Sequence, residues 1–251
     1  AFAKRFERYG FRPAAMAPVY GLAEATLGVS FPPPLRGPKL DRVDKKQFMN
    51  GGRAVPAGPE HEDALVHVAC GLPIPGHQVR VVDGANRELP ERAEGHIQFS
   101  GPSVTSGYYR NPELTKDLLQ GEWMNTGDYG YIAEGDIHIT GRIKDTIIRA
   151  GRNIHPYDLE EAVGSLEGIR KGCVAVFGSR DARAGTEKIV VLAETRETDS
   201  AIHEALRNRV NELAVALIGT APDDIMLAPP GTVLKTSSGK IRRAASRELY
   251  E

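Results

Sequence analysis

The chain has 251 residues, 41% of them hydrophobic, with 32 Lys plus Arg against 33 Asp plus Glu. Split after Asp145, 17 basic residues stand against 18 acidic ones and then 15 against 15, so neither part is a basic platform for nucleic acid. The two cysteines, Cys70 and Cys173, have no CxxC or His-rich spacing; they point to neither a disulfide framework nor a zinc site and fit a reducing cytosol. No apolar run nears the roughly 20 residues that span a bilayer. Ala1–Phe6 lacks the apolar core of a signal peptide, and a chain without an initial Met is expected to be a fragment.

Residues 1 to about 9 read as the end of a helix, with Gly10-Phe11-Arg12-Pro13 as its exit. In Val19–Thr26 (VYGLAEAT) an aromatic ring, a glycine and a carboxylate lie within five residues. Tyr20 can stack on a purine, Gly21 permits close approach, and Glu24 can hold a hard cation such as Mg²⁺. The same letters also read as a strand end with a buried tyrosine running into a helix. Phe31–Pro59 is crowded with Pro and Gly, which predicts extended, turn-rich connections.

Short strands are predicted at Gln78–Val82, His96–Ser100 and Asp136–Thr140, separated by turn signals such as Asp83-Gly84 and Glu134-Gly135. The alternation of Ile97 with Phe99 and of Ile137 with Ile139 predicts half-buried antiparallel pairing. Trp123–Asp128 (WMNTGD) places Asp128 on a glycine turn. There a carboxylate can accept from both hydroxyls of a ribose, or simply close a turn before a strand. In Thr140–Asp145 (TGRIKD), Arg142 leaves a strand with a fork of donors suited to phosphate or ribose oxygens, or sits in a solvated hairpin.

Beyond Asp145 the pattern is mixed α and β, and the boundary is expected at Lys144-Asp145. Thr146–Ile148 predicts a strand, and Pro156–Leu166 a helix with Pro in its first turn. Glu160 and Glu161 read as acidic bias favoured by the helix dipole. Val174–Phe177 and Lys188–Ala193 are short β-branched runs, as in central strands. Ile202, Leu206, Val210, Leu213 and Leu217 step as one face of a helix capped by Asp199 or Ser200. After a last strand near Asp224–Leu227 comes Leu234–Arg243 (LKTSSGKIRR). Its small residues favour a tight turn, and Ile241, Ala245 and Leu249 recur at helical spacing, which places Lys240 where loop becomes helix, a good position for an anion. The alternative is a basic, solvated helix start. The seven histidines are scattered without metal spacing.

The order Tyr-Gly-Leu-Ala-Glu, Thr-Gly-Asp, Gly-Arg-Ile-Lys-Asp, Lys-Thr-Ser-Ser-Gly-Lys resembles the adenylate-forming superfamily of acyl-CoA synthetases, peptide-synthetase adenylation domains and luciferases. Tyr20–Ser30, Cys70–Gly76 and Ile147–Glu160 are most similar to the long-chain fatty acyl-AMP ligases. The resemblance implies a mixed α/β fold. Residues 1–144 would be the C-terminal part of the large adenylation domain, with 1–33 ending an α/β subdomain and 34–144 forming a β-rich one. Residues 145–251 would be the mobile C-terminal α+β domain.

It further implies that Tyr20 and Gly21 border the adenylate, Glu24 helps hold Mg²⁺, Asp128 binds the ribose hydroxyls, and Arg142 contacts ribose or phosphate. Lys240 would reach the carboxylate and α-phosphate, Asp145 would be the hinge, and the loop around Gly151 would face the acceptor. The implied reaction is ATP-dependent activation of a fatty acid in the cytoplasm, followed by transfer to an acyl carrier protein or polyketide synthase. An acyl-CoA ligase using CoA, or a non-catalytic docking module, are the alternatives. The family's phosphate loop lies upstream of the equivalent of Ala1, so the chain alone is expected to be inactive.

Overall fold

The computed structural model describes residues 2–149, 151–180 and 186–251. Ala150, within the predicted acceptor-facing loop, lies outside them. The fold is mixed α/β, and the chain divides into two compact units, Ala1–Ile143 and Lys144–Glu251.

The first unit runs α1 Phe2–Phe6, β1 Ser30–Phe31, β2 Leu40–Asp44, α2 Lys45–Gly51, β3 Ala64–Val68, β4 Leu72–Pro73, β5 Gln78–Val82, β6 Gly95–Ser100, α3 Pro112–Leu118, β7 Leu119–Gln120, β8 Trp123–Ala133 and β9 Asp136–Arg142. Its main sheet is antiparallel, ordered β5-β6-β8-β7, with β9 paired to β8. The Pro-rich stretch after Phe31 is less irregular than its composition predicts. It holds β2 and the short α2, whose start is fixed by the Asp44 carboxylate accepting from Gln47 N at 2.8 Å.

Ile97, Phe99, Met124 and Ile137 leave the sheet on one side and bury with Tyr20, Ala25, Val29 and Leu118. Tyr131 and Ala133 bury instead with Val43, Phe48 and Ala54. β9 is therefore covered more fully than its alternation suggests. His138 is as buried as Ile137 and stacks on Tyr131 at 4.7 Å between ring centroids.

The second unit runs β10 Ile147–Arg149, β11 Arg152–Ile154, α4 Pro156–Gly164, β12 Ile169–Arg180, β13 Glu187–Thr195, α5 Ser200–Ile218, β14 Asp224–Ala228 and α6 Arg243–Tyr250. β13 is central: β12 pairs with it antiparallel and β14 parallel, α5 forming the crossover. β12 is thus an edge strand, but α4 and α6 pack on it, so its apolar run is buried all the same. Asp199 caps α5, accepting from Ala201 N and Ile202 N. The buried face of α5 is Leu206, Val210, Ala214 and Ile218, a step of four throughout. Ile202, in its first turn, is exposed. None of the helices among the described residues is long and apolar enough to cross a membrane.

Burial lowers the His138 pKa. The nearby Asp41 and Asp136 carboxylates oppose this and Lys39 adds to it, but burial dominates. The unfolded chain therefore binds a proton that the folded chain refuses, and stability is lost as pH falls below the ordinary histidine value of about 6.5. Half-buried His96 shifts the same way. The melting temperature should fall between pH 7.5 and 5.5, and His138→Phe should flatten that slope; a scan of melting temperature against pH checks both.

Candidate active site

Tyr20 and Ser30 close a narrow loop by an isolated β-bridge, and Gly21 lies where that loop folds back on itself. A Cβ on Gly21 would stand 1.6 Å from the carbonyl oxygen of Leu27, so no other residue fits there. The loop continues through a 3₁₀ turn, Ala23–Ala25, into Thr26 and Leu27, both left-handed without being glycine. Such strain persists only where surrounding structure imposes it. Glu24, on the 3₁₀ turn, accepts from the Tyr108 hydroxyl at 2.6 Å, and that bond raises the Tyr108 pKa.

Tyr20 is 8% exposed, its ring packed with Ala25 and Val29, so the ring offers little open face for stacking. Its hydroxyl instead donates to Asp128 Oδ2 at 2.6 Å, across 108 residues of sequence. Burial, and then the Asp128 charge, push the Tyr20 pKa up, so the phenol remains a proton donor.

Asp128 does not sit on a turn between elements; it lies within β8, at a bulge. His96 pairs with Tyr129 and Gln98 with Asn125, so three β8 residues oppose Ile97. Gly127, at φ +77°, lets the strand make that detour, and Thr126 Oγ1 pins it by donating to Ile97 O at 2.8 Å. Directly across the β8–β9 hairpin is Arg142, the register partner of Asp128, with Nε 3.2 Å from Oδ1. The Asp128 side chain is 7% exposed and that of Arg142 55%. The acid is therefore held from the buried side by a phenol and from the open side by a guanidinium.

In the second unit Asp145 closes the 3₁₀ turn Ile143–Asp145, and its Oδ2 lies 2.8 Å from Arg243 Nη1. Gly151 is at the tip of the β10–β11 hairpin. Ile148 N donates to Glu187 at 2.8 Å, and Arg149 pairs with Asp223, which ties that hairpin to the sheet. Lys240 is exposed, but the helix begins three residues later than its spacing predicts. Lys235 and Ile241 form a β-bridge, Thr236 N donates to Lys240 O at 2.8 Å, and Arg242 N donates to Leu234 O at 2.9 Å. Lys240 thus rides on a hairpin, because Ile241 turns in toward Ala175 and Phe177 and not along a helix face.

Tyr20, Asp128 and Arg142 come together in the first unit, with Gly21 beside Tyr20 and Glu24 on the same loop. Three residues escaped sequence reasoning. Tyr108 carried no signal beyond an aromatic pair. Glu160 is not a surface helix-start acid; it is 6% exposed and bound to Arg243 and Val176 N. Burial raises its pKa against the Arg243 guanidinium, which holds it down. Arg243 carried no signal beyond its place in a basic helix start.

No group of three or more His, Cys, Asp or Glu among the described residues could hold a metal. Glu24 alone fits a hard cation that arrives with a phosphate ligand and keeps most of its water, as Mg²⁺ does, better than a resident ion.

Residues 1–109 match the family model described as AMP-binding enzyme. The chain is 34% identical over 268 residues to the long-chain-fatty-acid–AMP ligase FadD26 of Mycobacterium tuberculosis, covering 99% of this chain and 45% of that protein. A Caulobacter vibrioides protein assigned by name to the acyl-CoA synthetases is 36% identical over 252 residues, covering 100% and 44%. A solved structure from work on the fatty acyl-adenylate ligases of E. coli and L. pneumophila superposes with a TM-score of 0.88 at 34% identity, covering 99% and 44%. The chain thus spans a little under half the length of the curated relatives it matches.

Tyr20→Phe removes a hydrogen bond to a buried carboxylate and should cost about 1.5–3 kcal/mol of stability. Arg142→Gln, on the exposed side, should cost less than about 1 kcal/mol. Urea unfolding of the two variants gives the order directly.

Proposed function

We propose that the chain, which belongs to the adenylate-forming superfamily and resembles its long-chain fatty acyl-AMP ligases, is the ribose-holding and lysine-bearing part of such an enzyme. The whole enzyme would join a fatty acid to AMP, releasing pyrophosphate from ATP, and pass the acyl group to an acyl-carrier-protein thiol. The carrying observation is the Asp128 carboxylate, buried and held by Tyr20 and Arg142. Residues 1–144 would close the large adenylation domain and 145–251 would form the mobile small domain. Two free cysteines are in keeping with a cytoplasmic setting.

Asp128 has one task in this scheme: to accept from both ribose hydroxyls. Tyr20 keeps that carboxylate oriented, and Arg142, on its open side, turns its fork to ribose or phosphate oxygen. Glu24 would hold Mg²⁺, which when bound supplies charge neutralisation on the phosphates. Lys240 would offset charge as the fatty-acid carboxylate attacks the α-phosphorus and pyrophosphate leaves. Asp145 would be the point about which the small domain turns between half-reactions, and the Gly151 loop would then face the acceptor. A CoA thiol is the second reading of the acceptor, favoured by the name of the Caulobacter relative.

Lys240→Ala in the whole enzyme should lower fatty-acid-dependent ATP–pyrophosphate exchange by about 10²–10³, as for loss of one transition-state donor. A loss below threefold would refute the role. Asp128→Asn should act mainly on the KM for ATP. The 251-residue chain alone, spanning under half of its relatives, should show no exchange. Supplying the whole enzyme with fatty acid, ATP and either carrier protein or CoA, and detecting the thioester by mass, separates the two acceptors.

A further inference from the structure

Residues 234–240 are exposed, yet the segment that carries Lys240 is tied down at both ends by buried carboxylates. Upstream, Glu194 is 1% exposed; its Oε1 accepts from Gly231 N at 2.9 Å and Val233 N at 2.7 Å, and its Oε2 pairs with Arg170. Downstream, Arg243 opens α6. Its Nε and Nη2 grip both oxygens of Glu160, the former at 2.8 Å, and its Nη1 lies 2.8 Å from Asp145 Oδ2. Glu160 also accepts from Val176 N at 2.9 Å. One guanidinium therefore joins α6, α4, the β12 backbone through Glu160, and the start of the unit at Asp145.

A lysine on an exposed hairpin has a long, freely rotating stem, so the accuracy of its ammonium depends on the backbone beneath it. Errors of about 1 Å in such a group cost on the order of 10²-fold in rate. Of the two anchors, the Arg243 one reaches Asp145, and only a planar fork serves three oxygens on two carboxylates at once; a lysine cannot.

We propose that Arg243 is a positioning residue for Lys240. The Asp145–Arg243–Glu160 cluster locks the base of the lysine loop to the first residues of its own unit, so that loop and unit move as one piece about Asp145. The inference rests on the proposed catalytic role of Lys240 but is separable from it.

The test uses the whole enzyme, with Arg243→Lys, Lys240→Ala and the double variant assayed by pyrophosphate exchange. Arg243→Lys should lower the kcat of adenylation about 10–100-fold while leaving the KM for ATP within about twofold, because Tyr20, Asp128 and Arg142 are untouched. In the Lys240→Ala background the same change should cost almost nothing further, since a residue acting only through Lys240 has nothing left to act on. A general folding defect would multiply instead. If Arg243→Lys does not fold, Asp145→Asn keeps the Arg243–Glu160 pair and should show the same non-additivity with a smaller loss.

A second readout needs no catalysis: on the 251-residue chain, tryptic cleavage after Lys240 and Arg242 should accelerate in Arg243→Lys. A folded Arg243→Lys enzyme with unchanged kcat, or losses that multiply with Lys240→Ala, would overturn the inference. A Lys240→Ala enzyme that keeps its exchange rate within threefold would overturn the role of Lys240 itself, while faster cleavage would still support the anchor.

Discussion

The candidate site of the first unit is organised around one buried negative charge, that of Asp128. Asp128 is expensive to bury, because an unpaired carboxylate away from water costs several kcal/mol. Its two donors come from positions 108 residues upstream and 14 downstream. To deliver Tyr20, the chain must close the loop through Gly21 and accept two strained residues at Thr26 and Leu27. To aim Asp128 at that phenol, β8 must bulge at Gly127; to bring Arg142 opposite, β9 must hold its register. On the proposed reading the asymmetry is functional. The phenol side is closed and fixes orientation, whereas the guanidinium side is open and is where hydroxyls can reach the acid.

The second unit uses buried carboxylates for the opposite purpose. Glu160 and Glu194 hold backbone N–H groups and arginines at the base of an exposed cationic loop. A buried ion pair adds little net stability over apolar packing, and is retained more readily where it specifies one arrangement. The lysine loop, with its small residues and exposed surface, is the kind of segment whose arrangement needs specifying.

Sequence reading found the strands that obey simple alternation, Gln78–Val82 to the residue, and the capped α5, because those signals are local. It missed α2, whose composition is drowned by flanking Pro and Gly. It also set Lys240 where loop becomes helix, because Ile241, Ala245 and Leu249 share a spacing that the hairpin bridge overrides; Leu249 is in fact 57% exposed. The site residues were legible as a series of short motifs in order, each ambiguous alone. Their partners were not. Nothing local to Glu160 distinguishes it from a surface acid favoured by the helix dipole, since its burial depends on Arg243, 83 residues away.

The two clusters also bear on where a swing between half-reactions would have to occur. Arg142 is held to Asp128 by strand register and ion pairing, and Asp145 is held to Arg243 by its side chain. Only Ile143 and Lys144 lie between these fixed points. If the units reorient as proposed, neither the sheet nor the lysine loop can absorb the change without breaking a charged contact. It must fall on the backbone torsions of residues 143–145.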